Sequence, residues 1–406
     1  MRTPLAWHNL AQEKLRTSVA AAGVAFSLTL VFMQLGFLGS VANTATLVLD
    51  QLDFDIAIVS RGYRHLAEPD SFPRLRLYEA AAVPGVARAT PFYVGIQTWR
   101  TELPGPSNGK RRPIMVLAFS PAEHPFRSGS DGRPKPTFPI RIAESDLIRL
   151  RQADTMLLDE QSHPSFAPRQ PGQKAEVGER KMAIEGTFSL GTGFASDGTV
   201  LVSDDTFRTL LGGYPLERVA LGLIKLDERS RGQTAAIVAQ LRRTLAPGHG
   251  ETPDLVARRD IDVLTRDELL ERDTQYWTGQ KSIGLVLGLG VVVALIVGVV
   301  VVYQVLSSDI VDHFKEYATL KALGYSNGYL VAVVVAQSLY LAAFGYVPSL
   351  AATLGLYGLT RSMAHLPIAM TWLRAVMVLG MASLMCIGAA LLSVRKVTAS
   401  DPASLF

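Results

Sequence analysis

Ile283–Leu306 reads IGLVLGLGVVVALIVGVVVVYQVL, and no residue in it carries a formal charge. Its valine content would suit a strand in water, but strands of soluble proteins do not run so long or so apolar. As a helix, at ~1.5 Å per residue, it reaches roughly 36 Å, enough to cross a hydrocarbon core of ~30 Å. The segment is therefore read as a membrane span, and the rest of the chain is read outward from it.

Three further apolar runs meet the same requirement. Ser18–Leu38 holds no formal charge, and Gln34 is its one strongly polar residue. A cleaved signal peptide is the competing reading, since small residues follow at Gly39, Ser40 and Ala42. The run is longer than the ~7–15 residues of a signal core, which favours a retained span. Tyr329–Leu359 contains Pro348, so it is either a kinked span or a span followed by a re-entrant end. Trp372–Val394 has an interfacial Trp372 at one end and Arg395–Lys396 beyond the other. On the second span, Gly284, Gly288 and Gly290 would admit a close helix neighbour.

The remaining sequence is of another material. Of 40 Lys and Arg, only Arg2, Lys14, Arg16, Lys315, Lys321, Arg361, Arg374, Arg395 and Lys396 lie outside 41–281; of 36 acids, only Glu13, Asp309, Asp312, Glu316 and Asp401 do. The middle block is thus charge-balanced, and it is long enough to bury a core of its own. The expected fold is an integral membrane α-helical protein: four transmembrane helices with a large α+β extracytoplasmic domain between spans 1 and 2. The expected order is a cytoplasmic amphipathic helix at 1–17, spans at 18–40, 282–306, 329–359 and 372–394, and the domain at 41–281. A cytoplasmic loop fills 307–328, a short outer loop 360–371 and a cytoplasmic tail 395–406.

Lys14 and Arg16 before the first span, and Arg395 and Lys396 after the last, put both termini in the cytoplasm by the positive-inside rule. The N-terminal stretch carries Trp7, Leu10, Ala11 and Leu15 at helical spacing. It reads as an interfacial amphipathic helix, or simply as a topology anchor. Within 41–281, strands are expected over Phe54–Ser60, Val86–Arg100, Arg112–Phe119, Lys181–Phe188, Thr199–Ser203 and Arg218–Leu226. Helices are expected over Leu75–Val83 and Gln233–Leu245. Thr265–Glu268 has the form of a capping box, opening a helix that would run unbroken into the second span. Leu38–Leu52 would extend the first span in the same way, and His124–Pro139 reads as a mobile loop.

The connector between the second and third spans carries the clearest functional pattern. On a helix through 309–323, Ile310, Phe314, Tyr317 and Ala318 share one face. Asp309, Asp312 and Glu316 share the opposite face, beside Leu320 and Leu323. Gly324 suits the position just past a helix C-terminus, and Asn327-Gly328 signals a turn before the third span. One face can lie on lipid or on neighbouring helices, while the other offers acids and two leucines to a cytosolic partner.

Catalytic chemistry finds no support. Gly105–Lys110 is one spacer short of a phosphate loop and lacks the hydroxyl residue after Lys110, so it reads as a hairpin turn. The seven His form no metal-binding spacing, no Gly-x-Ser-x-Gly elbow is present, and Asp204-Asp205 reads as a helix start rather than a metal site. The single Cys386 lies in the fourth span. Net charge is only +4 with no dense basic run, which gives nucleic-acid binding no footing. No charge lies in the core of a span, against an ion pathway.

Three pieces of sequence, in order, resemble the FtsX-like/MacB-type permeases of ATP-binding-cassette (ABC) systems. They are Asn9-Leu10 with Lys14–Thr17 before the first span, Glu316–Gly324 (EYATLKALG) after the second, and Arg395-Lys396 with Asp401-Pro402-Ala403 at the end. Within that family the chain looks most like the DevC-type permeases, through Asp53–Ile56, Met156–Asp159 and Gly191–Val202. The resemblance implies a non-catalytic permease subunit in a bacterial inner membrane. It implies a separate ABC ATPase that carries ATP-Mg and docks on Asp309, Asp312, Glu316, Leu320, Leu323 and Gly324, with no cofactor on this chain. It further implies a homodimer or sister permease, a membrane fusion protein with an outer-membrane channel, and a lipid-like or amphiphilic substrate. The alternatives are an FtsX-like regulator of a cell-wall hydrolase, a lipoprotein-releasing permease, and a tethered binding protein without an ATPase.

Overall fold

The structure is a computed structural model describing residues 14–102, 109–127, 140, 142–191, 193, 196–245, 260–280, 282–312, 319, 323, 325–364 and 368–398. It divides into two compact units, Val41–Gln280 and Met1–Ser40 with Lys281–Phe406.

The second of these units is helical. Four segments are long and apolar enough to cross a membrane: Thr17–Ala45, Ser282–Asp312, Val331–Met363 and Trp372–Val394. The helix of the first span runs from Lys14 to Ala45, and the chain bends at Thr46 before a short helix at Leu47–Gln51. The third is one continuous helix, Asn327–Ala364, with Pro348 inside it. It has no re-entrant end, and the Asn327-Gly328 pair opens the helix instead of turning before it. The second helix continues past Leu306 to Asp312.

Between lipid-embedded helices little hydrophobic force acts, so close packing and hydrogen bonds must hold them together. The second span supplies a small residue on each successive turn of one face. A Cβ on Gly290 would sit 2.5 Å from Gln34 Nε2 of the first span. The Ala294 carbonyl accepts from Ser27 Oγ at 2.5 Å. A Cβ on Gly298 would meet Met385 Sδ of the fourth span and lie 2.6 Å from Ser27 Oγ. The close approach therefore uses Gly290, Ala294 and Gly298. Gly288, one of the glycines expected to admit a neighbour, has nothing within 4 Å of its Cβ position. The first and third spans run parallel: Gly345 packs on Val24, and twelve residues further along both helices Tyr357 packs on Gly36 and donates to the Phe32 carbonyl at 2.5 Å. The opposite face of the second span, including Leu285, Leu289, Val293 and Ile296, is exposed and apolar, as a lipid-facing surface requires.

The Val41–Gln280 unit is α+β. In chain order it comprises α1 (Leu47–Gln51), β1 (Ile56–Ser60), β2 (Phe72–Pro73), α2 (Leu75–Ala81), β3 (Val86–Arg100) and β4 (Arg111–Phe119). Next come α3 (Glu144–Arg149), β5 (Thr155–Asp159), β6 (Lys174–Val177), β7 (Arg180–Phe188), β8 (Thr199–Ser203) and α4 (Asp204–Leu210). The last are β9 (Arg218–Val219), β10 (Leu221–Leu226), α5 (Thr234–Leu245), β11 (Ile261–Thr265) and α6 (Arg266–Gln275). Nine strands form one sheet in the order β11-β1-β10-β3-β4-β8-β5-β7-β6.

The long β3 belongs to two structures at once. Its first half pairs with β10 and its second half with β4, and at its end Trp99 and Arg100 also pair with Val177 and Glu176 of β6. That last pairing closes β3, β4, β8, β5, β7 and β6 into a six-stranded barrel. Trp99, Ile114, Met156, Val177, Ile184 and Val200 share its buried cluster, one or more from every strand. Over β3, β10 and β1 the sheet stays open. α2 and α5 cover one face through Leu77, Ile237 and Leu241, and Leu269 of α6 joins the core of the other with Ala57 and Val59. The Gly/Pro-rich turn at 103–108 and most of the expected mobile loop, 128–139, lie outside the described residues.

The capping box is formed. Thr265 Oγ1 accepts from the Glu268 amide at 3.2 Å, and Glu268 Oε2 accepts from the Thr265 amide at 2.7 Å. The helix it opens does not run unbroken as α-helix: Tyr276–Gln280 is a π-helical turn. Thr265→Ala is expected to cost about 1 kcal/mol, seen as a fall of roughly 2–4 °C in the melting of this unit. Asp204 and Asp205 occupy the first turn of α4, but the cap is Ser203, whose Oγ accepts from the Thr206 amide at 3.2 Å.

Candidate functional site: the junction of the second and third spans

At the end of the second span the buried face is drawn by Val302, Leu306 and Ile310, spaced four apart and each 2% exposed or less. That face fixes the rotation of the last turn. Asp309 is consequently half-buried, Asp312 is exposed, and Val311 between them is 63% exposed. Two carboxylates, Asp309 and Asp312, stand in the last described turn of this helix, with no basic residue in that turn.

On the other side of the connector, Ser326 begins the third span's helix: its carbonyl accepts from the Tyr329 amide at 2.9 Å, and its Oγ lies 3.4 Å from the same amide. The rings of Tyr325 and Tyr329 lie 4.9 Å apart at 37°, and both are exposed. Leu323 is 72% exposed, with its amide donating to the Thr319 carbonyl at 3.0 Å. Of the six residues expected to meet an ATPase, Asp309 is half-buried, and Asp312 and Leu323 are exposed. Glu316, Leu320 and Gly324 lie outside the described residues, as do Phe314, Tyr317 and Ala318. Sequence reading missed the Tyr325–Tyr329 pair. Its signal was the i, i+4 spacing of two tyrosines at a span end, where an amphipathic ring is at home.

Elsewhere the described residues hold no group of three His, Cys, Asp or Glu placed for a metal ion.

The connector and its flanking helices lie inside one recognisable segment. Residues 288–402 match an FtsX-like permease C-terminal domain. This FtsX-like segment takes in most of the second span, the acidic connector, and the whole of the third and fourth spans. Comparison of the full chain with curated proteins gives no match. Among solved structures, the periplasmic region of MacB from Actinobacillus actinomycetemcomitans is similar at 12% identity and a TM-score of 0.34, over 55% of this chain and 93% of that one. The extracellular domain of the noncanonic ABC-type transporter YknZ from Gram-positive bacteria is similar at 13% identity and a TM-score of 0.29, over 47% and 92%.

Proposed function

We propose that this chain is the permease subunit of an ATP-driven ABC exporter. The observation that carries the reading is the FtsX-like permease segment over 288–402, on three of four membrane-length helices, with paired acids at the mouth of its connector. Both termini and the 307–328 connector face the cytoplasm, and the Val41–Gln280 unit faces outward. ATP-Mg is bound and hydrolysed on a separate ATPase, which docks on Asp309, Asp312, Glu316, Leu320, Leu323 and Gly324. Its closure shifts the second and third spans and through them the outer unit. Four spans make a poor pore alone, so the permease pairs with a second copy or a sister chain in a bacterial inner membrane. A DevC-type assembly with a membrane fusion protein, moving a lipid-like or amphiphilic substrate, fits the sequence resemblance best.

The reading is tested by co-expressing the chain with the ABC ATPase encoded beside it and measuring co-purification. The double reversal Asp312→Lys with Glu316→Lys is expected to cut ATPase recovery at least tenfold, while the permease itself purifies in normal yield. Failure of the native chain to retain the ATPase at all would leave a tethered binding protein as the better account.

A further inference from the structure

In the Val41–Gln280 unit, the loop 61–70 (RGYRHLAEPD) folds over the end of α6 and buries ionisable groups beneath it. Asp273 is 0% exposed, Tyr63 1% and His65 2%. The two carboxylate oxygens of Asp273 hold the loop at two points: Oδ1 accepts from the Tyr63 hydroxyl at 2.9 Å, and Oδ2 from the Leu66 amide at 3.1 Å. Just beyond, His65 stacks on Tyr276 with ring centroids 4.4 Å apart and meets Trp277 edge-on at 5.1 Å, both in the π-helical turn.

An apolar contact could have packed this loop without ionisable groups. Here the side chain that reaches from α6 to the Leu66 amide is a carboxyl, and no ion pair neutralises it among the described residues. The adjacent cation, Arg272, is committed elsewhere: Nη1 donates to Asp262 of β11 at 3.0 Å and Nη2 to the Tyr63 carbonyl at 2.8 Å. The other ionisable groups around the joint are also engaged with one another. His65 Nε2 lies 3.6 Å from Glu68 on the loop, and Arg61 lies 4.0 Å from Asp262.

We propose that this joint is a proton-operated latch: loop 61–70 is fastened to α6 while the Asp273 carboxyl is neutral, and is released when it ionises. The physical reason is that a neutral carboxyl can stay buried with its two hydrogen bonds, whereas a buried carboxylate without a dedicated counter-ion gains by opening to water. Burial, opposed by the Leu66 and Tyr63 hydrogen bonds and by Arg272, holds Asp273 up to about 7 in the closed joint. In the opened joint the group ionises in its ordinary range near 4. The sign follows: as pH rises from about 4 towards 7, the open form loses its proton first, so opening becomes easier across that window and levels off above it.

The test is hydrogen exchange of the full-length chain in detergent or nanodiscs, read on peptides covering 61–70 and corrected for the intrinsic pH dependence of exchange. Between pH 5 and 7.5 the opening of this segment is expected to increase at least tenfold, while a peptide from the barrel strand β8 does not change. In Asp273→Asn, an uncharged near-isostere, the same segment is expected to show no rise. A flat wild-type profile overturns the proposal on its own, whatever the variant does. So does a wild-type slope that persists in Asp273→Asn, which would show that the opening does not follow the Asp273 carboxyl.

Discussion

Trp99→Ala is expected to cost the Val41–Gln280 unit roughly 3–5 kcal/mol, the range for truncating a large, fully buried aromatic. The reasons are local and add in one direction. The indole is 0% exposed, meets the Phe166 ring edge-on at 5.8 Å, and donates from Nε1 to the Ala167 carbonyl at 3.1 Å. Its removal leaves a cavity and takes one of two donors from the Ala167 carbonyl, which keeps the Glu102 amide at 3.1 Å. Trp99 is also one of the two β3 residues that pair with β6 and close the barrel. In a unit of this size the loss corresponds to a fall of roughly 10–15 °C in melting temperature, measurable by circular dichroism of the full-length chain in detergent. Trp99→Phe, which keeps most of the volume, should recover more than half of it. A shift below about 2 °C for Trp99→Ala would mean that the barrel does not depend on this closure.

Gly298→Leu is expected to break the packing of the helical unit. Even a methyl group there would run into Met385 and Ser27, so the second span must move away from the first and fourth together. Overpacking of a close-packed interior costs ~1–3 kcal/mol per added group or more, and here it would also separate Ser27 from the Ala294 carbonyl it donates to. Gly288→Leu lies ten residues earlier on the same helix and adds the same bulk, but nothing lies within 4 Å of its Cβ position. The paired comparison removes composition as an explanation. The expected result is loss of the monodisperse peak of Gly298→Leu on size exclusion in mild detergent, with Gly288→Leu eluting as the parent does. Equal behaviour of the two would show that the 290/294/298 face is not the contact.

These two residues also show what could and could not be read from the chain alone. The spans were legible because lipid demands long uncharged helices, and Ile283–Leu306 admits no other reading. Which of its glycines face a neighbour was not, since that depends on rotation about the helix axis, and the sequence supplies glycines on more than one face. In the α+β unit, β3 could be read in full because β-branched and aromatic residues recur from Val86 to Arg100 on both sides of Pro91 and Gly95. β5, TMLLD, is buried on every residue and so shows no alternation; β6, KAEV, is short and half polar. Barrel closure was invisible for the same reason, as it rests on a pairing between Trp99 and a strand too short to announce itself. At the candidate site, the acids at 309 and 312 stood out by charge against an apolar background. The Tyr325–Tyr329 pair did not, because tyrosines near a span end usually mean only an interface.

The pairing of β1 has a consequence for how the chain is made. All five of its residues are buried, and its two neighbours are β10 and β11. The first of these is synthesised more than 160 residues after β1 and the second about 200 residues after it. At ~5–20 residues per second, an apolar strand therefore waits roughly 8–32 s without either partner while the barrel strands between them are still being made. The barrel can assemble on its own schedule, but the open half of the sheet cannot. Whichever compartment receives this unit must keep one sticky segment out of trouble until the ribosome has passed residue 265.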